Sequence, residues 1–351
     1  MVNVAKTKKL LTLLCALGLL AGVGAYTAST APWGSPRQRT HTEYGEMLLG
    51  CPKGVYTLEI LRSDEVQACM LNTMKEAADA RQAKDLDMAI GYVIRRQPTF
   101  FDVCHDLGHT AGRYTYTKHQ DIGDLIASIG TSCQYALGHG VLDGFADTKP
   151  DETAYRQAVT ACERIVDPLT VGYCADGLGH VAWSSTEDLA GAARRCSYLG
   201  KEGLEQACAE GILMQIYEPA GFKPWRDIAN APAEIPAMCA NWPQANRAAN
   251  LAGCHSGAGY IFSRNLAKNS TAWEIRGEMT ERLYADVLEN IRYALNGCAL
   301  MNDKVAVDMC HYSLSQQYPK VVHYDERLED VACEPLGRWE ERCRTWHTTA
   351  K

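Results

Sequence analysis

The chain has 351 residues, 46% of them hydrophobic, and a net charge of −7. Length alone suggests about two domains, although a repeat array can run longer as one unit. No Lys/Arg cluster exists outside the N-terminus, which excludes nucleic acid as a partner because phosphates demand a basic surface. β-formers are sparse, and Ala, Leu, Glu, Gln and Arg are common, which favours helix.

The N-terminus reads as a targeting segment. Lys6, Lys8 and Lys9 form a positive flank, and residues 10–25 are uncharged and apolar. That run is short for a full membrane span of about 20 residues. Val23-Gly24-Ala25 supplies the small residues of a cleavage site. Residues 1–26 are therefore a signal peptide or a retained signal anchor, and residues 10–25 are the part that would associate with a membrane. In both cases the body faces the periplasm or the exterior, because the positive flank stays inside. Cys15 lies inside the apolar run, with more apolar residues behind it, and does not read as a lipid-attachment site. Residues 27–43 read as a polar linker, and residues 44–345 as a single helical-repeat domain.

Without Cys15 fourteen cysteines remain. Cys162 and Cys174 are twelve positions apart, as are Cys196 and Cys208, and Cys298 and Cys310. Cys239/Cys254 and Cys333/Cys343 are looser versions, and Cys51/Cys69 and Cys104/Cys133 are the remaining neighbours. No Cys-x-x-Cys occurs, which argues against thiolate zinc ribbons and thioredoxin chemistry. An exported chain with an even, regularly spaced set reads as a disulfide framework joining neighbours.

The flanking residues explain the spacing. Asp167-Pro168 forms a helix cap and first helical residue, and Asp303 caps another helix. Ser185 and Asp188 resemble a capping box, and Gly200 a stop. Ile275, Met279, Leu283, Val287, Ile291 and Leu295 form a helical stripe that Asn296-Gly297 would end. Each unit is thus a helix ending near its first Cys, a tight turn, and a second helix with Cys one or two turns in. The predicted fold is all-α, a disulfide-stapled αα-hairpin repeat array, solenoid or toroid, after the N-terminal segment. The Pro-rich stretch 217–250 interrupts it and is expected as a loop. Prolines 219, 224, 232, 236 and 243 forbid a continuous helix there.

The second helices resemble one another: Cys104-His-Asp-Leu-Gly-His, Cys133-Gln-Tyr-Ala-Leu-Gly-His, Cys174-Ala-Asp-Gly-Leu-Gly-His, Cys208-Ala-Glu-Gly-Ile-Leu-Met, Cys254-His-Ser-Gly-Ala-Gly-Tyr, Cys310-His-Tyr-Ser-Leu-Ser-Gln. Their internal glycines cost about 1 kcal/mol each relative to Ala and are expected where helices approach closely. Three units carry ligand-type pairs four residues apart: His105/His109, His139/Asp143 and Asp176/His180. On a helix such pairs share one face. In the Cys104 unit the second His sits at plus five rather than plus six, which turns it about 100° from its counterparts.

The candidate metal ligands are therefore His105, His109, His139, His180, Asp143 and Asp176, for a divalent transition metal: Zn, Fe, Mn or Cu. Asp106, inside the His-Asp-x-x-His stretch, and Glu210 are the candidate acid or base. A bland reading stands beside this one. Repeat units share residues because they share packing, and a buried His often just bonds a neighbouring carbonyl. His255 and His311 directly follow a Cys and read as packing. No phosphate loop, dinucleotide fingerprint, Gly-x-Ser-x-Gly or Cys-x-x-Cys-His appears.

Two function classes fit the sequence. One is an exported metal-dependent enzyme, with hydrolysis by metal-activated water the simplest chemistry and an oxidoreductase next. The other is a non-catalytic exoplasmic helical-repeat scaffold, or a subunit of a membrane-associated complex, that takes a protein partner at the Pro-rich segment.

Overall fold

The computed structural model describes residues 39–55, 57–79, 83–217, 231–243, 247–268, 280–301, 303–318 and 327–349. The chain divides into Met1–Thr40 and His41–Lys351, and the fold below is that of the second unit. The targeting segment 1–26 and linker residues 27–38 lie outside the described residues. No described helix is long and apolar enough to cross a membrane.

All regular structure among the described residues is helical. In chain order the helices are α1 (His41–Gly50), α2 (Leu58–Leu61), α3 (Asp64–Asp79), α4 (Ala83–Arg96), α5 (Phe101–His119), α6 (Ile122–Ser128), α7 (Ser132–Asp147), α8 (Glu152–Glu163) and α9 (Pro168–Thr186). They continue as α10 (Leu189–Cys196), α11 (Glu202–Tyr217), α12 (Ala231–Ala240), α13 (Arg247–Lys268), α14 (Glu281–Ala299), α15 (Lys304–Gln317), α16 (Arg327–Cys333) and α17 (Glu340–Thr349). One continuous apolar cluster runs from Tyr44 to Cys343.

Local chemistry sets several boundaries. Asp167 accepts from the Thr170 amide at 2.7 Å and Pro168 opens α9. Asp303 accepts from the Val305 amide at 2.9 Å to start α15. Gly200 takes a left-handed φ of 63° after the short 3₁₀ turn that follows α10. Other boundaries differ from expectation. Residues 41–43 belong to α1 rather than to a linker. Ser185 lies inside α9, bonded to the Val181 carbonyl, and Asp188 alone caps α10 through the Gly191 amide at 2.7 Å. Gly297 does not end its helix, which continues to Ala299; a Cβ there would press on the Phe262 ring. The Pro-rich stretch holds α12, with Pro232 in its first turn, where its missing N–H is harmless, and Pro236 inside. Residues 218–230 and 244–246 of that stretch lie outside the described residues.

The fourteen cysteines form seven neighbouring disulfides with Cα–Cα distances of 5.5 to 6.1 Å: Cys51–Cys69, Cys104–Cys133, Cys162–Cys174, Cys196–Cys208, Cys239–Cys254, Cys298–Cys310 and Cys333–Cys343. Cys174, Cys208 and Cys310 each fall in the second turn of their helix, which brings them back to the corner where the preceding helix ends. Cys104–Cys133 differs, because it joins α5 directly to α7. Closing loops of this size contributes roughly 3 kcal/mol each. Seven such bridges place the body in an oxidising, extracytoplasmic environment.

The helices α5, α7, α9, α11, α13 and α15 pack each against the next, and α6, α8, α10, α12 and α14 flank them. Every residue of α7 from Tyr135 to Ala146 is buried, as suits a helix apolar on all sides. The helices α5 and α7 run parallel: Cys104 bonds Cys133, Gly108 abuts Ala136, Gly112 abuts Leu137 and Val141, and Tyr116 abuts Gly144. A Cβ on Gly112 would overlap the Leu137 carbonyl oxygen, and one on Gly140 the His109 carbonyl. The α9–α11 pair repeats this reciprocity, Gly179 against the Cys208 carbonyl and Gly211 against that of Asp176. The glycines are the condition for backbone-on-backbone contact.

One buried carboxylate fixes the entry to α7. Asp87, on α4, accepts from the Ser132 hydroxyl at 3.2 Å and from the Gly130 and Ser132 amides. Burial outweighs these bonds and pushes its pKa up to about 6.

Two outcomes follow for stability. Gly179→Ala and Gly211→Ala should each lower stability in denaturant melts by roughly 1–3 kcal/mol, because the obstacle is backbone. Gly172→Ala, in open space on the same α9, should gain up to about 1 kcal/mol. Asp87 binds its proton more tightly folded than unfolded, so its ionisation destabilises the fold as pH rises from about 4 through 6. Asp87→Asn should therefore gain on wild type by roughly 2 kcal/mol between pH 4 and 7; a constant difference would contradict this account.

Candidate metal centre

Three of the motif histidines converge. His105 and His109 lie one turn apart on α5, and His139 comes from the parallel α7. One ring nitrogen from each lies within 4.8 Å of the others. His139 is buried, and the other two are partly open to solvent. The plus-five register of His109 does not turn it away from this group, because its Nδ1 is drawn to Asp143 on α7.

Hydrogen bonds fix the tautomers. His105 Nδ1 stands 3.2 Å from the Cys133 carbonyl oxygen, an atom that only accepts, so Nδ1 carries the proton. His109 Nδ1 donates to the Asp143 carboxylate at 2.8 Å. Both Nε2 atoms then hold lone pairs, and they face each other at 3.2 Å. Two bare lone pairs repel at this distance; a proton on one of them, which makes an N–H···N hydrogen bond, or a metal ion between them reverses the sign. Nitrogens on a tetrahedral zinc, each about 2.0–2.1 Å from the ion, stand roughly 3.3 Å apart. His139 Nε2 donates to the Tyr173 carbonyl at 2.8 Å, which leaves its Nδ1 as an acceptor. Each histidine thus has one nitrogen held by an outer partner, the arrangement found around metal-ligating histidines.

The Cys133 carbonyl sits in an unusual backbone stretch. Cys133, Gln134 and Tyr135 all take left-handed φ values of 56 to 61°. Such residues cost of order 1–3 kcal/mol each. The Cys104–Cys133 bridge and the Asp87 contacts with Gly130 and Ser132 both hold the N-terminal end of this stretch. The Tyr135 ring meets His139 edge-on with centroids 5.6 Å apart.

The other candidates are placed as follows. Asp143 is buried. Burial raises its pKa, but the hydrogen bond from His109 and the neighbouring His109, His180 and Arg113 side chains hold it below the usual carboxylate range. It therefore acts as the anionic partner that orients His109. Asp176 reaches His139 Nε2 at 3.5 Å and His180 Nε2 at 3.8 Å. His180 stacks on His139 with centroids 5.8 Å apart, beside the triad rather than within it. Glu210 accepts from the Ser256 hydroxyl at 3.1 Å and neighbours Asp176. Asp106 is exposed on α5 and, among the described residues, forms no hydrogen bond to the triad.

Burial dominates the titration of this region. It pushes His139 far below the ordinary imidazole range, and His109, His180 and His105 push it further. It lowers His180 to about 4 and lifts Glu210 to about 7. Asp176 rises well above the carboxylate range through burial and the neighbouring Glu210. His139 and His180 are thereby kept neutral, the form that ligates metal.

Sequence reasoning missed several contributors: the Cys133 and Tyr173 carbonyls, the Tyr135 ring, Ser256, and Arg113, whose Nη2 lies 4.0 Å from Asp143. Only Arg113 carried a local signal, four residues beyond His109 on the same helical face.

No protein-family model, curated protein or solved structure matches this chain.

The carboxylate behind His109 generates a direct expectation. Asp143→Ala should weaken zinc binding by roughly 10–100-fold in competition titration against a chromophoric chelator. Asp143→Asn, which keeps an acceptor for Nδ1, should lose less. Equal affinities in all three proteins would remove Asp143 from the centre.

Proposed function

We propose that this protein is an exported metal-dependent enzyme whose centre is His105, His109 and His139. The observation that carries the reading is the convergence of one ring nitrogen from each of His105, His109 and His139 within 4.8 Å, with the other nitrogen of each ring held by an outer partner. The solvent access of His105 and His109 supports an open coordination position, the mark of catalytic rather than structural sites. A divalent ion held there would supply Lewis acidity toward water or a substrate oxygen. Hydrolysis is the simplest reaction for such a set, since nitrogen ligands without a redox partner suffice; an oxidoreductase is the next reading.

The chain's own groups have separate tasks in this reading. Asp143 and the Cys133 and Tyr173 carbonyls orient the three rings. Asp176 and Glu210, behind His139, are the buried carboxyls available to hold a proton. We read the consecutive helix pairs as one αα-hairpin repeat array, with the parallel helices as its inner wall and the triad near its first turns. Export through the segment at residues 1–26 fits the seven disulfides.

The test is metal analysis of untagged protein. Wild type should carry at least one equivalent of Zn, Fe or Mn. His105→Ala and His109→Ala should lose metal of this centre while keeping wild-type far-UV circular dichroism. Metal-loaded wild type should hydrolyse a member of an ester, phosphoester and peptide panel, and both variants should fail to. A protein that holds no metal at equilibrium with any of these ions would end the enzyme reading and leave the scaffold reading.

A further inference from the structure

One of the seven disulfides stands at the triad itself. Cys104–Cys133 joins α5 to α7 across the intervening α6. Both of its cysteines also meet His105 through the backbone. Cys104 precedes that histidine in α5, and the Cys133 carbonyl oxygen lies 3.2 Å from its Nδ1.

From this bridge the chain enters α7 through the left-handed residues Cys133, Gln134 and Tyr135. The other non-glycine residues of positive φ among the described residues, Lys53, Gln120, Lys149 and Glu187, are single. A left-handed run persists only where its surroundings over-determine it. The carbonyl offered to His105 depends on the run. In a right-handed helix the Cys133 carbonyl would lie along the axis toward the Leu137 amide, four residues on, and not sideways toward α5. Cutting the bridge leaves the helices together, because Gly112 and Gly140 still seat α5 and α7 on one another. Asp87 still holds Gly130 and Ser132. What is released is the run itself, which can then rewind to the right-handed form and draw its carbonyl away from His105.

We propose that the Cys104–Cys133 disulfide is a redox latch on the metal centre: a dithiol that reduces it frees residues 133–135 and loosens the hold on the metal ion. This regulation rests on the triad being a metal centre. One thiolate of the dithiol attacks a bridge sulfur, expels the other cysteine as thiolate and forms a mixed disulfide. The second thiolate closes on the first and expels the remaining cysteine. Two electrons and two protons pass to Cys104 and Cys133, and the dithiol leaves as its own disulfide. Both cysteines are buried, so attack follows local opening of the run. Relief of left-handed strain favours that opening here over the other bridges. Reoxidation restores the carbonyl to His105.

The experiment has two readouts on the full exported chain. The first is limited reduction with dithiothreitol, alkylation of the freed thiols and mass mapping. Cys104–Cys133 should open at least about tenfold ahead of the other bridges. Gln134→Gly, which keeps the bridge but removes one left-handed penalty, should slow that opening several-fold. The second readout is zinc affinity by competition with a chromophoric chelator. Cys104→Ala/Cys133→Ala should bind zinc about 10–100-fold more weakly than wild type, with unchanged far-UV circular dichroism. Cys162→Ala/Cys174→Ala, at a corner away from the triad, should bind it as wild type does. A Cys104–Cys133 bridge that opens no sooner than the others would overturn the latch, and so would wild-type zinc affinity without it; both leave the triad standing. No zinc on oxidised wild type would overturn the triad reading and the latch with it. Should Cys104→Ala/Cys133→Ala misfold, Gln134→Gly decides: a bridge that opens as fast as in wild type overturns the proposal.

Discussion

Backbone-on-glycine contact between parallel helices is the constraint from which the rest of this structure follows. Side chains ordinarily keep helix axes about 8–10 Å apart. At Gly112 and Gly140, and again at Gly179 and Gly211, there is no side chain to do so, and each helix lays a carbonyl where a Cβ would be. Parallel running then matters, because it sets equivalent turns of successive helices at one level. Motifs that follow each cysteine by the same number of residues become neighbours in space. The Cys104–Cys133 bridge fixes that level for the first pair.

The electrostatics grow out of this packing. A close, water-poor contact region favours neutral imidazoles, and His139 and His180 are held that way by burial. It also separates the fates of two carboxylates of like origin, each four residues from a histidine. Asp143 has His109 and Arg113 beside it and stays ionised. Asp176 has Glu210 beside it and is driven toward its neutral form. The triad is therefore backed by a fixed anion on one side, while the neighbouring pocket of carboxyls lacks a positive charge among the described residues.

Much of the local order was legible in the chain. Helical hairpins closed by neighbouring cysteines follow from spacing, because a helix end, a turn and less than two turns of helix return a residue to within disulfide reach. The Asp167 and Asp303 caps follow from side-chain chemistry that acts over three residues. Punctuation by glycine was less dependable. Asn296-Gly297 carries the pattern of a helix stop, yet the Phe262 ring demands a small residue there and the helix runs through it. Ser185 resembles a cap but bonds back into its own helix. At Gly297 tertiary packing outweighed a local preference of about 1 kcal/mol.

What the sequence by itself determined is the helical class, the hairpin corners and the pairing of His105 with His109 on one face, since each depends on groups within about a dozen residues. Only the tertiary structure decided that His139 joins them and that His180 stands beside them. It also decided that Asp106 faces solvent and that two carbonyl oxygens select the tautomers. Those outcomes depend on the rotation of one helix against another. That rotation is set by glycine contacts and a disulfide between residues 29 positions apart, and no periodicity within a single helix encodes it.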